Sequence, residues 1–288
     1  MPGTSDKQER MTKNAPESGP TSPDRATRPS PRREPARAVW QNDELSEVHA
    51  RNDKADKVRD MFGAIARSYD LNNRVHSLWR DEAWRRAAVR MAAVRPGETV
   101  LDMACGTGDL TQAFARRSPA GLVIGGDFTH AMLELAAHKR TRLPAPTAGR
   151  IRYIEADAMA LPVADASVDV VSIAFGIRNV QDPDRAIAEF FRVLKPGGRV
   201  VILEFDQPRI APVRWFNAFY CGQVMPRTAT WISRDRSGAY RYLPRSVTSF
   251  MSHETLGDRL RTAGFGAVRH RSLSLGICVC TVGVKPGA

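Results

Sequence analysis

Four cysteines and six histidines are spread through 288 residues without metal-ligand spacing, so no metal is expected in this chain. Cys105 falls in a glycine turn and Cys221 stands alone. Cys278 and Cys280 alternate along a late apolar run, which suits small core residues better than disulfide partners. No apolar run approaches the ~20 residues needed to cross a bilayer, and the N-terminus lacks the uninterrupted apolar core of a secretory signal. A cytoplasmic protein is expected. The first 50 residues hold eight bases and eight acids, whereas a mitochondrial transit peptide is poor in acids. Sustained apolar periodicity is also missing there, and Pro29, Pro31 and Pro35 crowd together. Residues 1–50 are therefore expected to form a disordered tail, and residues 51–288 the folded domain.

Strand and helix signals alternate through the folded part. Strands are expected at 99–104, 122–127, 151–156, 168–175 and 199–205, with helices at 109–117, 129–138 and 182–194. Helical segments over 54–93 precede them. Ser252 reads as an N-cap for a helix to about Ala263, and 267–284 as two final strands turning near Gly276. The fold class is α/β: a doubly wound, seven-stranded, mainly parallel, Rossmann-like sheet with an antiparallel terminal strand at its edge.

The most informative stretch is Val100-Leu101-Asp102-Met103-Ala104-Cys105-Gly106-Thr107-Gly108-Asp109. An apolar strand runs into an acid and then a two-glycine turn that opens a helix, where the backbone can approach a ligand closely. The third glycine of a dinucleotide fingerprint is missing, since Thr111 stands in its place. A loop without the full phosphate fingerprint, preceded by an acid, suits a ligand that has an ammonium group and no phosphates. S-adenosylmethionine has both properties. Asp127 ends the second strand 21 residues after Gly106, placed to accept from ribose hydroxyls. Asp157 and Ala158 follow the third strand, where a carboxylate and a backbone N–H can read an adenine edge. Arg178 and Asn179 follow the fourth, at the open crevice of such sheets.

The formal net charge is +12. From Gln207 to Arg271 stand 11 arginines and 3 acids, together with Trp215, Phe216, Phe219, Tyr220 and Trp231. Residues 207–250 read either as an amphipathic helix packed on the core or as a lid that meets an anionic membrane surface. A basic groove for RNA is a third reading of the charge, although the aromatics do not interleave with lysine in a nucleic-acid module, and no nucleic-acid partner is expected.

The chain resembles the S-adenosylmethionine-dependent C-methyltransferases of ubiquinone and menaquinone biosynthesis. The resemblance rests on Lys57-Val58-Arg59-Asp60-Met61-Phe62 with Ser68-Tyr69-Asp70, the Leu101–Leu110 loop, Phe175-Gly176-Ile177-Arg178-Asn179-Val180, Arg192–Gly198, and Ala239-Tyr240-Arg241-Tyr242-Leu243-Pro244-Arg245-Ser246. It implies cofactor contacts from Thr107, Asp127, Asp157 and Ala158, beside the Asp102, Gly106 and Gly108 of the loop. It also implies a prenylated hydroquinone acceptor, with Arg178 and Asn179 stabilising a developing oxyanion and Tyr69 or Tyr242 orienting the ring or relaying the proton through water. One branch of the family has a serine just before Phe-Gly. Ala174 stands there, which turns the expectation toward demethylmenaquinol rather than 2-methoxy-6-polyprenyl-1,4-benzoquinol. The resemblance further suggests a homodimer and peripheral placement on the inner face of the membrane. The alternatives are methylation of another hydrophobic small molecule and methylation of RNA.

Overall fold

The computed structural model describes residues 39–287 apart from Asn42, Arg234 and Arg236. Most of the expected tail, residues 1–38, lies outside the described residues. Seven strands form one sheet: β1 (Thr99–Met103), β2 (Leu122–Asp127), β3 (Ile151–Glu155), β4 (Val168–Ala174), β5 (Leu194–Phe205), β6 (Gly266–Leu273) and β7 (Cys278–Val284). Their order is β3-β2-β1-β4-β5-β7-β6. The first five run parallel, and β7 runs antiparallel to both β5 and β6. The reversed strand thus stands one place in from the edge, which β6 occupies, rather than at the edge itself. A hairpin explains this: β6 reaches the rim first and β7 folds back into the open side of β5.

The helices are α1 (Lys54–His76), α2 (Arg80–Ala92), α3 (Asp109–Arg117), α4 (His130–Arg140), the one-turn α5 (Ala145–Ala148), α6 (Pro183–Val193), α7 (Ala211–Phe219), α8 (Met225–Ser233), α9 (Ala239–Thr248) and α10 (His253–Thr262). Asp182 caps α6 by accepting from the amides of Asp184 and Arg185, with Pro183 in the first turn where its missing N–H costs nothing. Ser252 caps α10 by accepting from the amide of Thr255, as its sequence position predicts.

Alternation along the strands builds a core on each face. Leu101, Val171 and Val200 pack with Phe190 of α6 and Leu260 of α10, while their neighbours Val100, Val170 and Val201 pack with Trp84 of α2 and Phe114 of α3. Each such side chain contributes about 1.5–3 kcal/mol by leaving water. Cys278 and Cys280 are free thiols buried in the second of these cores.

A third core corrects the expected tail boundary. Trp40 and Val48 are fully buried and pack with Val58, Met61 and Ile65 of α1 and Tyr242 of α9. The Trp40 ring stacks on Tyr242 with centroids 4.6 Å apart, and its amide donates to the Ser237 carbonyl at 3.0 Å. Residues 39–50 are a packed strap. Trp40, Leu45 and Val48, separated in a polar stretch, carry no periodicity, so only the surface that receives them reveals their role.

Candidate active site

The chain enters the sheet at β1, runs outward to β3 and returns to β4, so the switch in strand order lies between β1 and β4. A crevice opens at their carboxyl ends. Both strands end on a strained residue, Ala104 at φ +48° and Phe175 at φ +56°. Left-handed non-glycine backbone costs on the order of 1–3 kcal/mol and persists where surrounding structure imposes it, which is common at functional sites.

Beyond Ala104, the turn is pinned from the neighbouring strand. Asp127 accepts the Gly106 amide on Oδ2 and the Thr129 amide on Oδ1, both at 2.8 Å. Burial raises the pKa of Asp127, and these amides oppose the rise by stabilising the anion. Gly106 has φ +54°, and a Cβ there would meet only Tyr69, 4.0 Å away, so its face toward the cleft is open. Gly108, at φ +81°, answers to packing instead: a Cβ there would stand 2.3 Å from the Tyr153 hydroxyl.

Tyr69, Arg85, Asp102, Gly106, Thr107, Asp109, Ala174 and Phe175 are among the residues that line the cleft. Asp102 is not simply presented to a ligand. Its oxygens accept from the hydroxyls of Thr111 and Ser172, each at 2.6 Å, tying β1 to α3 and β4. Burial pushes its pKa up to about 6, with the two hydroxyls acting in the other direction. Thr107 donates to Asp70 at 2.5 Å. Lys139 reaches Asp70 at 2.7 Å and also pairs with Asp109. Asp157 is exposed and accepts the Met159 amide at 2.9 Å, while Ala158 is buried behind it.

Arg178 departs most from expectation. It is 4 % exposed rather than standing in the open crevice. Its Nη1 donates to Glu204 and to the Phe175 carbonyl, both at 2.6 Å. Its Nε has no acceptor among the described residues. Burial raises the pKa of Glu204 while the guanidinium opposes the rise. An arginine emerging from an apolar strand end cannot stay solvated once α9 covers it, and Glu204 on the adjacent strand supplies the counter-charge. Asn179 accepts from the Tyr242 hydroxyl at 3.0 Å, and burial pushes the Tyr242 phenol up to about 12. Tyr69, whose pKa burial also raises, lines the cleft directly. Arg85 was not singled out from the sequence, because a second arginine in a surface-like Trp-Arg-Arg run carries no signal. Glu204 did carry one: it is the lone charge in Val200–Phe205.

The 207–250 segment is largely helical; Tyr240 and Tyr242 are buried, but the aromatics of its first half are not packed away. Trp215, Phe216, Phe219 and Trp231 are all more than half exposed. The turn between α1 and α2 lies beside them: the Tyr220 hydroxyl donates to the His76 carbonyl at 3.3 Å, and His76 Nε2 lies 2.8 Å from Thr228 Oγ1. That turn presents Leu78 and Trp79, which are also exposed. No helix among the described residues is long and apolar enough to cross a membrane.

The sheet order, the strained strand ends and the acid-pinned glycine turn define the Rossmann-like fold of class I methyltransferases. Solved structures share it. An S-adenosylmethionine-dependent methyltransferase from Thermotoga maritima superposes with a TM-score of 0.55 at 20% identity, covering 79% of this chain and 99% of that one. A methyltransferase from Haloferax volcanii, solved with the activator Trm112, gives 0.55 at 19% identity over 78% of this chain and 97% of that one. The chain belongs to the ubiE/COQ5 methyltransferase family, whose model matches residues 50–285. The demethylmenaquinone methyltransferase of Deinococcus radiodurans is 42% identical over 83% of this chain and 96% of its own length. That of Thermus thermophilus is 42% identical over 78% and 100%. The ubiquinone/menaquinone biosynthesis C-methyltransferase UbiE of Saccharophagus degradans is 39% identical over 81% and 93%.

Proposed function

We propose that the protein transfers a methyl group from S-adenosylmethionine to a ring carbon of a prenylated hydroquinone, with demethylmenaquinol as the acceptor. One observation carries this reading. The two segments most selective for the family meet in space, where the Tyr242 hydroxyl donates to Asn179 beside the strained Phe175 that walls the cleft. Relatives named for demethylmenaquinone methylation, matched along nearly their whole length, supply the acceptor class.

The cleft fits the cofactor. Gly106 leaves open the space that a Cβ would occupy, Asp127 and Asp157 offer carboxylates at successive strand ends, and Asp102 and Thr107 form the floor with the Gly108 turn. The sulfonium methyl is already activated, so the protein's work is alignment, exclusion of water and support of the phenolate that makes the ring carbon nucleophilic. Phe175, Tyr69 and Ala174 wall the space from water. Arg178 and Asn179 form the turn that holds the ring oxygen, Tyr242 fixes Asn179 from behind, and Tyr69 orients the ring. The pairing with Glu204 confines Arg178 to the remaining N–H groups of its fork.

The isoprenoid tail gives the exposed aromatics a use. Between Gln207 and Arg234 no acidic residue occurs. In this reading Trp215, Phe219 and Trp231 line the tail's path while Arg214 and Arg227 meet anionic headgroups, so the protein docks peripherally to collect its acceptor. Incubation with radiolabelled S-adenosylmethionine and either reduced demethylmenaquinone or the reduced benzoquinol tests the assignment. Label in the naphthoquinol alone supports it, and label in neither moves the acceptor outside the quinones.

A further inference from the structure

Lys54 opens α1 and is 1 % exposed. Its ammonium donates to the Val180 carbonyl at 2.6 Å and lies 3.3 Å from His49 Nδ1. The other imidazole nitrogen stands 3.0 Å from the Ser246 carbonyl. One protonation pattern satisfies all four groups: a neutral His49 accepts at Nδ1 from the ammonium and donates from Nε2 to the carbonyl. Burial lowers the pKa of His49 and so favours this neutral ring. The partners of Lys54 are thus a carbonyl and an imidazole, not a carboxylate.

A buried ammonium without a counter-ion is costly, which makes its retention informative. The groups around it come from three elements: His49 from the strap, Arg178 and Val180 from the turn after β4, and Ser246, through His49, from α9. Arg178 pairs with Glu204, whereas the contacts of Lys54 among the described residues include no carboxylate. Its charge stands behind the turn whose other end, Phe175, walls the cleft.

We infer that Lys54 is a positioning residue that clamps the Val180 carbonyl and supplies the positive potential by which the site takes its acceptor as an oxyanion. This rests on the quinol reading and names what that reading leaves open, the source of charge that favours the deprotonated ring. The acceptor hydroxyl loses its proton to solvent, and Lys54 keeps its own. Burial and the neighbouring Arg178 bring the Lys54 pKa down to about 8, so the charge is present at neutral pH and lost above it.

The test uses 4-nitrophenol, whose phenolate is coloured and which ionises near neutral pH, titrated with the full chain saturated with S-adenosylhomocysteine. The wild type should lower the probe's half-titration point by about one pH unit or more, which corresponds to about tenfold preference for the anion. Lys54→Gln should abolish that shift while cofactor affinity, read by calorimetry, stays within about twofold. Lys54→Arg, whose charge does not titrate, should keep it. A shift that survives in Lys54→Gln, or is absent in the wild type, overturns the inference. Should Lys54→Gln not fold, the wild type decides: its affinity for the phenolate should fall several-fold between pH 7 and 9, and a constant affinity would overturn the role. None of these measurements requires methyl transfer. A protein that shifts the probe yet methylates no quinol loses the substrate assignment and keeps the role of Lys54.

Discussion

Asp127 Oδ2 accepts the Gly106 amide at 2.8 Å, so the acid that closes β2 also fixes the glycine turn that closes β1. Removing it frees the turn and, on the proposed cofactor reading, also deletes a carboxylate that holds the ligand. Asp127→Ala should raise the dissociation constant for S-adenosylmethionine by about 10–100-fold, on the order of 1.4–2.8 kcal/mol. Calorimetry on the folded variant checks this, and an unchanged constant would remove Asp127 from the cofactor site.

On the proposed cofactor reading, Asp102 should make cofactor binding pH-dependent. Its pKa is raised from 3.8 to about 6 in the fold, so its contribution to stability is fully present below 3.8 and lost as pH rises through about 6. A cationic ligand acts in the opposite direction, because it favours the carboxylate. Affinity for S-adenosylmethionine should therefore weaken as pH falls below about 6, by up to tenfold per unit, and Asp102→Asn should flatten the profile. A wild-type profile already flat from pH 5 to 7.5 would contradict this.

The Arg178–Glu204 pair is buried on both sides. Glu204→Gln leaves the guanidinium without its counter-ion and should destabilise the fold by about 3–5 kcal/mol, read as a lower denaturant midpoint. Arg178→Ala should depress turnover far more than cofactor binding. Equal losses of both would withdraw Arg178 from the chemistry.

Docking on lipid is readable by flotation. Trp215→Ser with Trp231→Ser should weaken binding to anionic vesicles about tenfold, and raising salt should weaken the wild type. Equal binding of the wild type to neutral and anionic vesicles would remove the electrostatic part.

The strap predicts a stability effect outside the sheet. Trp40→Ala empties the stack on Tyr242 and should cost about 3–5 kcal/mol. A loss below about 1 kcal/mol in denaturant unfolding would show that residues 39–50 are dispensable to the fold.

Sheet and turn were legible because they rest on local patterns. The strands at 122–127 and the helix at 109–117 fall where apolar alternation and the glycine turn put them, and Ser252 caps its helix. The reversed strand's place within the sheet was not legible, since two strands of a hairpin look alike until one finds the open side of β5. The site divides in the same way. Asp127 follows from a strand end and a spacing. The burial of Arg178, the hydroxyls that occupy Asp102, and the Lys54–His49 contact each depend on elements tens of residues apart meeting, and no window of sequence holds both partners. Trp40 falls inside the expected tail and is buried, whereas Trp215 and Phe219 have the spacing of a packed helix face and are exposed.

The Tyr153 hydroxyl occupies the space where Gly108 would need a Cβ. The second glycine of the turn is thus constrained by a phenol on β3, two strands away. Gly108 and Tyr153 are sterically coupled. Trimming the phenol, as in Tyr153→Val, should remove the nearest steric bar to a larger residue in the turn and leave the Ala136 Cβ, 3.1 Å away, and the left-handed backbone to limit the choice. A redesigned turn can therefore begin on a different strand from the one that carries it.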